Sequence, residues 1–320
     1  MESSDRLRRH LLAGQVIPAH PLALDSRRRL DERRQRALTR YYVEAGAGGV
    51  AVGVHTTQFG LRDHGLLEPV LQLAVGVARE GANRPFPVVA GAIGDTQNAV
   101  REAEIAAACG CDAVLLSLAG LDPLHDDQLI DHCAAVAEVL PLLGFYLQPA
   151  VGGRRLGYAF WRALAELPSL VAVKIAPFNR YHTVEVVRAI AASGRADVAL
   201  YTGNDDSIVH DLVTPFPAGA AGSGATIRMH GGLLGALGRL DPGGGTADGR
   251  GEGRPDGRYR AGNPVAARRR RHGDERGAIR CHERLRRVHP RDPGGAAPSG
   301  SPRRELDARS RRTTLSRPGC

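Results

Sequence analysis

The sequence has little cysteine, no long apolar run and almost no lysine. Its five cysteines are odd in number and irregularly spaced, which fits a reducing compartment better than a disulfide framework. No window approaches the roughly 18 uninterrupted apolar residues of a membrane helix. The opening residues, MESSDRLRRHLLAG, contain no apolar core of the secretory type. We therefore expect a cytoplasmic protein without a membrane partner.

The single lysine, Lys174, lies in the apolar run LVAVKIAPF at 170–178. An unpaired ammonium there would destabilise the fold unless its pKa is lowered, and the neutral amine is the form that attacks a carbonyl carbon. Arginine cannot replace it, because a guanidinium stays protonated. Lys174 is therefore a candidate nucleophile. The alternative is a lysine that pairs with a carboxylate inside the fold or reaches solvent from a strand end.

Short β-branched runs alternate with helical patterns between residue 14 and about 231, which predicts βα units around a parallel sheet. Helical patterns interleave with the strands, each starting near a capping-type residue. An α/β fold with eight strands indicates a (β/α)8 TIM barrel, and the alternative is an open, doubly wound sheet. The predicted strands are 15–19, 48–54, 86–92, 112–118, 144–149, 170–176, 198–203 and 225–231, and the clearest helices are 31–45, 96–110, 126–140 and 183–193.

The composition changes at about residue 236, so we predict a catalytic barrel domain at 1–235 and an Arg/Gly/Pro-rich basic tail at 236–320. Residues 1–230 carry 22 Arg and Lys against 24 Asp and Glu, whereas residues 231–320 carry 21 Arg against 10 Asp and Glu. The tail has too few apolar residues to offset the entropy of ordering, so we expect it to be disordered.

Out-of-frame translation of GC-rich DNA would also produce an excess of Arg, Gly, Pro and Ala. Under this hypothesis the chain lacks the last barrel helix and the C-terminal helices. The competing interpretation is a nucleic-acid-binding arm, since RRRRHGDERG at 268–277 could contact phosphates. Acidic residues interrupt that run and no aromatic residues are interleaved with it, so nucleic acid is not the expected partner. Resequencing around codon 236 tests the frame hypothesis.

Several polar side chains belong to the predicted C-terminal mouth of the barrel, where active sites of this fold are built. Tyr146 is on the fifth predicted strand, one βα unit before Lys174, and a phenol near an amine can relay protons. Thr56 and Thr57 follow the second strand and offer two hydroxyls and backbone N–H groups to a carboxylate. The alternatives are a tyrosine packed in the core and threonines that bond within a turn.

The order and spacing of these segments resemble the dihydrodipicolinate synthase and N-acetylneuraminate lyase family of Schiff-base barrels, over roughly residues 8–235. GVHTTQF resembles the family's Gly-Thr-Thr-Gly-Glu loop, and FYLQP stands where the family has Tyr-Asn-x-Pro. SLVAVKIA resembles the strand that carries the Schiff-base lysine, and LYTGNDD resembles the segment with the glycine of the seventh strand.

The resemblance implies a lyase or aldolase, or a dehydratase, that acts on a small-molecule 2-oxo acid such as pyruvate. Lys174 would form an imine with the keto carbon and Tyr146 would shuttle protons. Thr56 and Thr57 would bind the carboxylate, and Gly203 would leave room beside the substrate. Family members often form homo-oligomers. The alternative is an inactive or unstable barrel-derived binding protein, because the C-terminal closure of the barrel is lost.

The departures from the family pattern bear on the substrate. SLAGLDP at 117–123 lacks the tyrosine of the synthases, Val151 stands where they have a substrate-binding arginine, and His55 replaces a glycine. These changes argue against lysine biosynthesis and for a divergent member. We expect no metal and no other cofactor, because Cys109, Cys111 and the His132-Cys133 pair lack the spacing of a zinc site.

Overall fold

The computed structural model describes residues 2–55, 59–218 and 224–235. Eight parallel strands form one sheet: β1 (Val16–Pro18), β2 (Val50–Val52), β3 (Val88–Ala92), β4 (Ala113–Leu116), β5 (Leu142–Leu147), β6 (Leu170–Ala176), β7 (Ala199–Thr202) and β10 (Gly231–Leu234). Two short strands, β8 (Phe216–Pro217) and β9 (Thr226–Ile227), pair antiparallel outside this sheet. The helices are α1 (Glu2–Leu12), α2 (Glu32–Glu44), α3 (Leu67–Gly81), α4 (Thr96–Ala108), α5 (Asp126–Ala137), α6 (Tyr158–Ala165), α7 (Arg180–Ala192) and α8 (Ile208–Val213).

The sheet closes on itself. Its strand order is β1-β10-β7-β6-β5-β4-β3-β2, and the two outer strands meet through a parallel bridge between Ala19 and Ala51. The His20 N–H donates to the Ala51 carbonyl at 2.7 Å across the same junction. The predicted (β/α)8 barrel is therefore confirmed, and the open doubly wound sheet is wrong.

The eighth barrel strand lies later than predicted. Residues 225–231 were the expected strand, but Thr226–Ile227 pairs with Phe216–Pro217, and Gly231–Leu234 fills the barrel position. Thr226 and Ile227 have a higher β propensity than the two glycines that begin β10, but close packing determines which segment occupies the barrel position. A Cβ on Gly231 would lie 2.1 Å from the Gln15 carbonyl oxygen and 2.8 Å from Tyr201 Cε1, so only glycine fits there.

Polar caps set the starts of three predicted helices. The Asp31 carboxylate accepts the Arg34 N–H at the start of α2, and the Asp95 carboxylate accepts the Asn98 N–H at the start of α4. The Asn179 side chain accepts two N–H groups at the start of α7. This cap places the beginning of α7 three residues before the predicted start at 183, and it follows directly on the strand that carries Lys174.

The core has an inner and an outer layer because strand residues alternate between the two faces of the barrel wall. Val89, Leu115 and Phe145 belong to the cluster inside the barrel, whereas Val114 and Val173 pack outward against the helices. Helix α1 contributes two residues to the inner cluster, Leu7 and Leu11. Its Arg8 donates to the Leu170 carbonyl at 2.8 Å, so α1 covers the N-terminal end of the barrel and leaves the opposite mouth for chemistry.

Some of the sequence-based expectations fall outside the described residues. These are the tail at 236–320, the missing last helix, and the positions of Thr56 and Thr57. In the described part of the chain, no helix combines the length and the apolar character needed to cross a bilayer.

Candidate active site

Lys174 lies in the middle of β6 with its side chain directed into the barrel. Only 4% of the residue is exposed, and its Nζ is 4.4 Å from the centroid of the Phe145 ring. Burial lowers the pKa of the amine from 10.5 to about 8, and the Asp205 carboxylate partly opposes this shift. Desolvation therefore outweighs the attraction to Asp205. A buried amine that is half neutral near pH 8 is a competent nucleophile.

The structure does not bring Tyr146 to Lys174. Phe145 is the residue of β5 that pairs with Lys174, and Tyr146 pairs with Ile175. Tyr146 therefore points out of the barrel, where its ring lies 5.4 Å from Trp161 and stacks on His182 at 6.0 Å between centroids. Its hydroxyl accepts the Leu156 N–H at 3.4 Å. The expectation that Tyr146 faces the amine is wrong, because the strand register pairs Phe145, and not Tyr146, with Lys174.

Gly203 lies beside Lys174 at the end of β7. Its N–H donates to the Ile175 carbonyl at 2.7 Å, which holds the backbone against β6. A Cβ at this position would lie 2.9 Å from Lys174 Cε and 2.8 Å from the Ala176 Cβ. The missing side chain is therefore the space that the lysine occupies, and any side chain here displaces the amine.

We expect Gly203→Ala to slow imine formation at Lys174 about 100-fold, since roughly an ångström of misplacement has that effect on a reacting group. The barrel loses about 1–3 kcal/mol of unfolding free energy through overpacking. Trapping of a 2-oxo acid by cyanoborohydride and urea unfolding measure the two effects. Gly76→Ala in α3 is the matched control, because a Cβ there meets nothing within 4 Å. Equal trapping rates for the two variants would contradict the conclusion that Gly203 leaves the space for the Lys174 side chain.

Two further titratable groups of the mouth interact with the amine. Burial raises the pKa of the Asp205 carboxyl, and the charge of Lys174 acts against that rise. Burial is also the main cause that lowers the pKa of His55, followed by the charge of Lys174. The His55 ring meets Phe59 edge-on at 5.4 Å. His55, which the sequence showed only as a replacement of a family glycine, is thus a neutral imidazole within electrostatic range of Lys174 at pH 7.

A buried polar network supports the mouth, and sequence reasoning missed it. Asp211 is fully buried and accepts the Thr202 hydroxyl at 2.6 Å and the Asn204 amide at 2.9 Å, and its other oxygen pairs with Arg180. The Asn204 amide also donates to the Thr183 hydroxyl at 3.2 Å. The network ties the loops after β6 and β7 together. No local pattern signals it, because its members come from three separate segments, namely α7, the end of β7 with the residues after it, and α8.

A second ion pair fixes the loop that leads to Thr56 and Thr57. Arg62 Nε donates to the buried Glu102 carboxylate at 2.7 Å. Its remaining nitrogens donate to the carbonyls of Gly53 at 3.1 Å and Gly91 at 2.9 Å, at the ends of β2 and β3. Arg62 therefore positions the backbone just before the two threonines. A lone arginine in the 3-10 segment Phe59–His64 gave no signal of this role in the sequence.

Arg154 makes hydrogen bonds to backbone carbonyls of a neighbouring loop. Arg154 Nη1 donates to the carbonyls of Leu121 at 2.7 Å and Leu124 at 3.0 Å, so it holds the loop after β4.

Cys109, Cys111 and Cys133 are free thiols, and burial raises the pKa of each. Among the described residues, no group of three or more His, Cys, Asp or Glu side chains is arranged to hold a metal ion.

Comparison with known proteins gives a consistent picture. A family model described as the dihydrodipicolinate synthetase family matches residues 13–239. An N-acetylneuraminate lyase of Citrobacter koseri is 27% identical over 220 residues, which cover 68% of this chain and 70% of the lyase. A 4-hydroxy-tetrahydrodipicolinate synthase of Halorhodospira halophila is 28% identical over 178 residues, which cover 55% of this chain and 57% of the synthase. The match thus spans less than two thirds of that synthase.

Solved structures show the same fold. A dihydrodipicolinate synthase of Bacillus anthracis superposes with a TM-score of 0.59 at 21% identity, over 72% of both chains. An N-acetylneuraminate lyase of Mycoplasma synoviae superposes with a TM-score of 0.56 at 13% identity, over 71% of this chain and 70% of the lyase.

Proposed function

Because the chain belongs to the dihydrodipicolinate synthetase family, we propose that it is a Schiff-base lyase or aldolase in which Lys174 forms an imine with a 2-oxo acid such as pyruvate. The observation that carries the proposal is the amine itself. Lys174 is the only lysine in the sequence, it is buried on the inner face of a barrel strand, and its pKa is lowered to about 8. These are the properties that make an amine nucleophilic near neutral pH.

The proposed reaction begins when neutral Nζ adds to the keto carbon to give a carbinolamine, which loses water to leave a protonated imine. In cleavage, a base takes the proton of the C4 hydroxyl, the electron pair of the bond between C3 and C4 moves into the imine and leaves an enamine, and the departing fragment becomes a carbonyl compound. In synthesis, C3 loses a proton and the enamine attacks an acceptor carbonyl. Protonation at C3 after cleavage, and then hydrolysis of the imine, release the 2-oxo acid and the free amine.

The groups around Lys174 divide the remaining tasks. Gly203 leaves the space in which the lysine and the bound acid lie. Thr56 and Thr57 bind the carboxylate in this proposal, which is supported by their place directly after His55, whose pKa responds to the charge of Lys174. His55 is the described imidazole at the mouth that can accept a proton at pH 7. We infer no proton relay through Tyr146, because its hydroxyl lies on the other face of the barrel wall.

The proposed activity differs from the synthase step of lysine biosynthesis. Val151 is 42% exposed at the mouth, where the resembling synthases have a substrate-binding arginine. The nearby Arg154 is bonded to backbone carbonyls and does not replace it. In the described part of the mouth, Val151 and Arg154 therefore do not give a second carboxylate group the bidentate partner that an arginine at position 151 would give, which favours a substrate with one carboxylate.

The test is reductive trapping. With pyruvate and cyanoborohydride, we expect a mass adduct on the peptide that contains Lys174. The trapping rate should rise about tenfold per pH unit below the pKa of the amine, because only neutral Nζ attacks, and should level off above about pH 8. Absence of an adduct with every member of a panel of 2-oxo acids would contradict the proposed function.

A further inference from the structure

Phe178 has an unusual backbone conformation at the mouth of the barrel. Its φ is 51°, in the left-handed region that bulky residues avoid, and in the described part of the chain only Arg28, with φ of 62°, is another non-glycine residue of this kind. Such a conformation persists only where the surroundings over-determine it, and these sites cluster at ligand clamps and active sites. Phe178 lies four residues after Lys174, where the backbone leaves β6.

The buried network around Asp211 holds Phe178 in place. The Phe178 N–H donates to the Asn204 side-chain oxygen at 3.0 Å. Asn204 is 3% exposed, and its amide nitrogen is fixed in turn by Thr183 and Asp211. The left-handed turn is therefore secured from the neighbouring strand. Glycine would satisfy the same backbone bond without strain, so the benefit of phenylalanine here must come from its ring.

The Phe178 ring lies on the inner side of the barrel wall. Lys174 and Ala176 both face the interior, as expected for residues two apart on a strand. The half-buried side chain of Phe178 packs against the cluster inside the barrel, to which Phe145 and Ala176 belong. An aromatic ring thus packs on the inner side of the wall, just beyond the end of the strand that carries the almost fully buried amine.

We propose that Phe178 is a specificity-determining residue, a gate whose fixed ring admits compact 2-oxo acids to Lys174 and excludes acids with bulky groups at C3. The inference rests on the proposed function for the identity of the substrate. The gate itself is a property of access to the amine, so it can be measured without turnover. A rigid ring suits this role because its position is set by the backbone and by Asn204.

The experiment compares labelling of Lys174 by formaldehyde and by benzaldehyde in the presence of cyanoborohydride, with peptide masses as the readout. We expect the ratio of benzaldehyde to formaldehyde labelling to rise about tenfold in Phe178→Gly, a typical discrimination for a shape-selective apolar pocket. Adducts of phenylpyruvate relative to pyruvate should rise in parallel. Phe178→Ala should open the site equally but lower the Tm, because alanine keeps the backbone strain and loses the packing of the ring.

The control is Arg28→Gly, which relieves the same kind of backbone strain at an exposed position in the loop between β1 and α2. Both glycine variants should raise the Tm, and only Phe178→Gly should change the labelling ratio. An unchanged ratio in Phe178→Gly and Phe178→Ala overturns the gate. If the aldehyde ratio rises but no 2-oxo acid is trapped in any variant, the gate stands and the proposed function fails.

Discussion

Lys174→Met is expected to abolish trapping of every 2-oxo acid and, at the same time, to stabilise the barrel. The first effect follows because the chain has no second lysine to form the imine. The second follows because methionine fills a similar volume without a charge that must be desolvated. A residue whose removal destroys activity and raises stability is retained for its chemistry.

The size and pH dependence of the stabilisation follow from linkage. The amine has a pKa of about 8 in the folded chain and 10.5 as its ordinary value, so the unfolded chain binds more protons between these limits. Stability of the wild type therefore rises with pH across this window. Below pH 8 the charged amine costs the folded state about 3 kcal/mol, and Lys174→Met removes that cost. Its advantage should be largest at pH 7 and shrink towards pH 10.5.

Urea unfolding of the two proteins at pH 7 and at pH 10 measures this difference. Lys174→Arg is the matched control, because it keeps the charge and cannot deprotonate. It should lose trapping as completely as the methionine variant, yet be less stable than the wild type at both pH values. If the methionine variant gains nothing at pH 7, or gains equally at both pH values, the amine is well solvated and is not the activated nucleophile.

The lysine was predictable because its signal is local. An apolar run identifies β6, and one cation within that run must be either neutralised or paired. Gly203 was expected from the resemblance to leave room beside the substrate, and in the structure a Cβ there would lie 2.9 Å from Lys174 Cε. The barrel followed from the alternation of strand and helix patterns, which needs no long-range information.

Tyr146 shows what such patterns leave open. The sequence places it one βα unit before Lys174, but the distance along the chain does not fix which face it occupies. The pairing of Phe145 with Lys174 decides this, and a register irregularity between Leu142 and Leu143 shifts the pairing of β5 with β6. A shift of one residue moves every side chain to the other face. The same limit applies to the eighth strand, where packing against Gln15 and Tyr201 outweighed local propensity.

The supporting network could not be predicted for a related reason. Asp211, Asn204, Thr183 and Arg180 are ordinary polar residues in sequence, and each has a separate local interpretation as a cap or a solvated side chain. Only the fold brings them together below the surface, where an unpaired polar group is costly. The network therefore connects stability to the site, since Asn204 is next to Gly203 and holds Phe178.

Asp211→Ala is expected to destabilise the chain by about 3–5 kcal/mol, the usual cost of breaking a buried charged network from one side. The Thr202 hydroxyl would lose its acceptor, Arg180 would lose its counterion, and the Asn204 amide would keep only Thr183. Because the Asn204 side chain is then held less firmly, Phe178 should leave its left-handed conformation more often and Lys174 should label more readily with benzaldehyde.

Two substitutions make this expectation specific. Asp211→Asn keeps the shape and an acceptor oxygen for Thr202, so it should cost about 1–2 kcal/mol, mainly through the lost charge opposite Arg180. Asp206→Ala removes an exposed carboxylate from the same loop, and its effect should stay within about 0.5 kcal/mol. In urea unfolding, the loss of unfolding free energy should increase in the order Asp206→Ala, Asp211→Asn, Asp211→Ala. Equal stability of the two alanine variants would mean that Asp211 does not bind the loops together, and that the position of Phe178 has another cause.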